Sequence, residues 1–285
     1  MKIISKKEII CKLLRVKIST YYRIYTILDK YVFKLYYPLN GLSNFRDRDK
    51  VKLTINLALV ESVMYLIDGL AEDGKEEKFE QNVGAYFSEL DSIKSKFLNL
   101  ISSLGLKING LEGYVEMGEK YIRAENKIVK NQYKNINAQD IKEVIELRSS
   151  DVRLLHIIII NELNLERNDE LINALWHLEV ISEFENDLDD YNKDKLNGNF
   201  NMIIMYENIY GKELFCREIM RVLSNHLKDL NYRSSSLAHE ERKILDSMSR
   251  NSMKKIIAFI LDLGDVQDII FPTSENSIDS EVLSL

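Results

Sequence analysis

Apolar residues recur at intervals of three and four along most of the chain. Over 53–70 they fall at Leu53, Leu57, Val60, Met64 and Ile67, which is the stripe of an amphipathic helix. The same rhythm predicts helices over 79–104, 111–131, 138–163, 168–194, 200–210, 212–230 and 238–263. It breaks at Gly74, Gly105, 135–137, 164–167, Gly198, Gly211 and 234–236, where glycine, asparagine and serine gather. The apolar run 154–160 is too short to cross a bilayer and is flanked by Arg153 and Glu162. No run along the chain reads as a membrane span, so no stable membrane insertion is expected. The polar stretch 272–285 reads as a frayed tail.

Composition sharpens this to a class. At average usage, 285 residues would hold roughly 14 Pro and 20 Gly. This chain has 2 Pro and 11 Gly. Sheet proteins need many tight turns, and turns need those residues, so the expectation is one all-α domain. Two cysteines, Cys11 and Cys216, are too few for a disulfide framework or a zinc cage, which fits a reducing, cytoplasmic setting. The four histidines (His156, His177, His226, His239) are scattered without zinc-ligand spacing and read as structural or surface residues.

Net charge is −6, unevenly distributed. Residues 1–37 carry nine basic and two acidic side chains, +7, leaving −13 for the rest. The overall acidic balance argues against a nucleic-acid partner. The basic start reads as a surface helix, with organelle targeting as the alternative. The expected organisation is a basic helical segment over 1–37, an α-domain over 38–271 and the tail over 272–285.

Acids concentrate at 185–194. Asn186, Asp190 and Asp194 lie four apart, and four residues at about 100° drift only about 40° around a helix, so all three share one face. Like charges at that spacing repel unless something neutralises them. A hard divalent cation does so, and Mg²⁺ favours oxygen ligands. A solvated acidic face is the plain alternative, and an EF-hand is excluded by Tyr191 and Asn192 at its third-ligand and glycine positions.

The string Asn186-Asp187-Leu188-(x)2-Tyr191-x-Lys193-Asp194, followed by Gly198 and Asn201, resembles the second metal motif of class I terpene synthases. Asp190 stands where that family has Ser or Thr, and Asp194 where it has Glu. Arg148, with Asp151 three residues later and Val152 next, resembles the family's diphosphate sensor, linker and effector positions; Arg153 is a second sensor candidate. Asp68, with Glu72 and Asp73 after it, is similar in place to the first, Asp-rich motif, but Gly69 occupies its second Asp position. The family's C-terminal Arg-Tyr pair has no clean counterpart.

The resemblance covers roughly 55–210. It implies a single-domain isoprenoid-synthase bundle, monomeric or homodimeric, acting on a linear C15 or C20 prenyl diphosphate and releasing a terpene hydrocarbon or alcohol. It further implies three Mg²⁺ ions with bound diphosphate. Asp68, Glu72, Asp73, Asn186, Asp190 and Asp194 would be the ligands, with Arg148, Lys193 and Asn186 on the diphosphate. The rivals are a prenyl transferase of the same fold and an inactive helical scaffold. No glycine-rich phosphate loop or serine-nucleophile motif suggests another enzyme class.

Overall fold

A computed structural model describes residues 18–39, 47–72 and 93–262. Every regular element among them is helical. Helix α1 (Ile18–Ile27) runs into a π-helical stretch, Leu28–Tyr36, and a short turn at Tyr37–Leu39. Then follow α2 (Asp47–Glu72), α3 (Ile93–Ser103), α4 (Glu112–Lys130), α5 (Ala138–Leu147) and α6 (Ser150–Leu163). The longest elements come last: α7 (Asp169–Asn197), α8 (Met202–Ser234) and α9 (His239–Asp262).

The predicted breaks hold where side chains can cap. Asn137 accepts from the backbone N–H groups of Gln139 and Asp140, while Asp140 accepts from the Asn137 N–H, a complete capping box for α5. Asn168 caps α7 and Asn201 caps α8. Gly198 ends α7 at φ 70°, the left-handed conformation glycine adopts without penalty.

Two expectations change. The helix expected over 138–163 is two helices, broken at Arg148 (ψ 154°) and Ser149 (φ 60°). The helices expected over 200–210 and 212–230 meet end to end as α8, with Gly211 non-helical at φ 71° between them. Of the helix expected over 79–104, only Ile93–Ser103 lies within the described residues.

Helix α7 packs along both α8 and α9, and α6 lies against α4 and α2. Ala174, Leu175, Leu178, Ile181 and Phe184 of α7 are fully enclosed. The run 154–160 is buried on every face of α6, so its lack of amphipathic pattern marks a core helix. Leu28, Tyr31, Val32 and Leu35 of the π-helical stretch enter the same hydrophobic core. No helix among the described residues is long and apolar enough to cross a membrane.

Candidate functional site

The break between α5 and α6 sets the site. Helix α5 ends at Leu147, and Arg148 leaves the helix with extended ψ, so its side chain turns toward α7. Its guanidinium grips Asp187 at both oxygens, Nη1 to Oδ2 at 2.8 Å and Nη2 to Oδ1 at 2.6 Å, and donates from Nε to Glu183 at 3.0 Å. This is the fork-to-carboxylate match that makes arginine the strongest ion-pair former. The Phe200 ring lies 5.5 Å from the guanidinium carbon and closes one side. Burial works against the Arg148 charge, but the anions of Asp187 and Glu183 outweigh it and hold the pKa well above its usual range.

Asp187 does more than pair with Arg148. Its Oδ2 accepts from the Met202 backbone N–H at 2.7 Å, and its carbonyl accepts from the Asn201 side-chain amide at 2.7 Å. It therefore ties the sensor-like arginine to the first turn of α8. Burial lifts its carboxyl to about 6, against the lowering effect of Arg148. At neutral pH the pair remains charged.

The other motif residues are dispersed around the C-terminal half of α7. Asn186 is exposed. Asp190 is half-buried and pairs with Lys193 at 3.1 Å, near the surface. Asp194 is buried and accepts from the side-chain amides of Asn199 (3.2 Å) and Asn201 (3.1 Å), so it braces the turn between α7 and α8. These oxygen donors suit a hard cation in kind. Among the described residues, however, no group of three or more His, Cys, Asp or Glu side chains is gathered to hold a metal ion. Asp68 and Glu72 belong to the last turns of α2, but their side chains, and all of Asp73, lie outside the described residues.

Asp151 and Val152 occupy the first turn of α6. Val152 is buried in the core. Burial, reinforced by the Glu183 charge, raises the Asp151 pKa. Next to them, Arg153 is buried and donates to the carbonyls of Glu146, Arg148 and Ser149, which stitches the helix break together. Arg153 Nε stands 3.5 Å from Glu179, which is fully enclosed. His156 Nδ1 also stands 3.5 Å from the Glu179 carboxyl. Burial pushes Glu179 well above the carboxylate range and His156 down to about 3. This layer therefore sets an enclosed carboxyl and an enclosed imidazole beside one buried guanidinium.

Comparison with known protein families, curated proteins and solved structures finds no match to this chain.

Sequence reading singled out Arg148 but missed both the helix break at Arg148–Ser149 and the residue's partners. Asp187 and Glu183 lie 39 and 35 residues away, and nothing in the spacing distinguishes them from Asp189 or Asp190. It also took the four histidines as scattered. Two of them meet: His177 Nδ1 and His226 Nδ1 are 3.0 Å apart, across α7 and α8. Histidines on different helices carry no joint spacing signal, so only the packing of α7 on α8 reveals the pair.

Proposed function

We propose that this chain is a class I terpene synthase with an isoprenoid-synthase bundle, ionising a linear C15 or C20 prenyl diphosphate and rearranging the carbocation to a hydrocarbon or alcohol. The observation that carries the reading is the helix break at Arg148–Ser149, which sets a sensor-like arginine directly against the helix bearing the Asn186–Asp194 motif. An arginine fork matched to a carboxylate is matched equally to a diphosphate. In this reading Arg148 exchanges Asp187 for the incoming diphosphate and orients it, with Lys193 and Asn186 as further contacts. Asp151 and Val152, on the turn that follows, carry the displacement into α6.

Asp68, Glu72 and Asp73 on one side and Asn186, Asp190 and Asp194 on the other would hold Mg²⁺. When bound, the ions would supply charge neutralisation for the leaving diphosphate.

A second reading, a helical scaffold without turnover, is favoured by one specific feature. Arg148 is already neutralised by its own protein partners, Asp187 and Glu183.

The test is incubation of purified protein with Mg²⁺ and C10, C15, C20 or C25 diphosphates, with and without an isopentenyl co-substrate, followed by gas chromatography–mass spectrometry. A volatile product made without the co-substrate, lost on chelation and lost in Asn186→Ala and Asp68→Ala, supports the synthase. A longer diphosphate made only with the co-substrate points to a prenyl transferase. No turnover of any substrate by a folded protein leaves the scaffold.

A further inference from the structure

Two histidine nitrogens meet between α7 and α8, at residues that the proposed diphosphate site does not use. His177, buried on α7, and His226, half-buried on α8, approach through Nδ1 atoms 3.0 Å apart. Their rings are 5.2 Å apart at the centroids and tilted by 57°. We propose that the two imidazoles form a chelating site for a divalent transition-metal ion of the Zn²⁺, Ni²⁺ or Cu²⁺ class, bridging α7 and α8.

The geometry is favourable. Metal–nitrogen bonds of about 2.0–2.1 Å let one ion reach two nitrogens up to about 4 Å apart. A separation of 3.0 Å lies within that bite, with the ion displaced from the line between the nitrogens. One Nδ1 carries the hydrogen of the present contact. Binding an ion requires that ring to shift its proton from Nδ1 to Nε2, so no net proton is released. Water fills the remaining positions. Two imidazoles select borderline transition metals over Mg²⁺. The proposal is therefore independent of the diphosphate reading.

The chain provides its own reporter. Trp176 is the sole tryptophan, and its ring centroid lies 4.8 Å from His177 and 5.7 Å from His226. The experiment titrates tag-free, chelator-stripped protein with Cu²⁺ and Ni²⁺ while following tryptophan emission, and with Zn²⁺ by calorimetry. The expected result is quenching that saturates at one ion per chain. His177→Ala and His226→Ala should each weaken binding by about tenfold or more. Exposed His239→Ala should leave it unchanged, and Mg²⁺ should not quench. Should His177→Ala fail to fold by circular dichroism, the more exposed His226→Gln carries the test: Zn²⁺ should raise the Tm of the wild type but not of that variant. Absence of saturable binding, or binding that survives loss of His226, overturns the proposal.

Discussion

At the scale of single residues, Arg148 is where charge and position meet. It is enclosed with Asp187 and Glu183, so removing it strands two acids at the α6–α7 face. Breaking a buried pair from one side typically costs about 3–5 kcal/mol. Arg148→Ala is expected to lose stability on that scale in urea denaturation. Adding Asp187→Asn should recover part of the loss, because the stranded charge is then gone. Arg148→Lys should not substitute, since an ammonium cannot make the two-oxygen grip.

The His177–His226 contact makes a pH prediction. Burial lowers both imidazoles, His226 to about 4, with His177 reinforcing the effect at His226. A histidine depressed in the folded state binds more protons when unfolded. Its contribution to stability is therefore lost as pH falls from about 6.5, the ordinary value, toward about 4. Asp187 and Glu179, raised in the fold, act in the opposite sense over the acid range. The contribution of the pair is thus read as a difference. His226→Gln should show a shallower loss of stability between pH 6.5 and 4 than the wild type, in matched urea titrations.

At the scale of elements, the helix ends explain how sequence pattern became structure. Asn137 closes a capping box for α5, and its loss leaves first-turn N–H groups unpaired. Asn137→Ala should cost about 1 kcal/mol, measured by equilibrium denaturation. Gly211 interrupts α8 at φ 71°, with open space around its Cβ position. Gly211→Ala should therefore cost about 1–3 kcal/mol from backbone strain alone, without any packing clash. Helix periodicity placed α4, α7 and α9 within a few residues because their apolar stripes are long and their ends carry asparagine or glycine. It missed the Arg148–Ser149 break. No glycine or proline marks that position, and Ser149 adopts φ 60° because Arg153 holds the carbonyls around it.

At the scale of the whole molecule, one hydrophobic cluster joins Ile24 near the start of the described chain to Ile260 near its end. Glu185 adds a polar tie between distant segments. It accepts from Ser252 and Lys255 of α9 and pairs with Lys30 of the π-helical stretch at 3.5 Å. A contiguous core of this kind should unfold cooperatively. Trp176 fluorescence and far-ultraviolet circular dichroism are expected to report coincident transitions. Leu57→Ala, at a fully buried position on α2, should shift both together by about 2–5 kcal/mol.

The sequence by itself determined the helical class, most helix limits, and Arg148 and Asn186–Asp194 as residues to watch. Those follow from local rules: apolar spacing, capping chemistry, and the shortage of proline and glycine. Tertiary structure alone decided which charges meet. It chose Asp187 rather than Asp190 as the partner of Arg148, enclosed Glu179 beside Arg153, and brought His177 to His226. Each of these depends on the rotation of one helix about its axis relative to another. At about 100° per residue, a neighbouring position on the same helix faces elsewhere, and that rotation is fixed by packing of the shared core rather than by any local stretch of sequence.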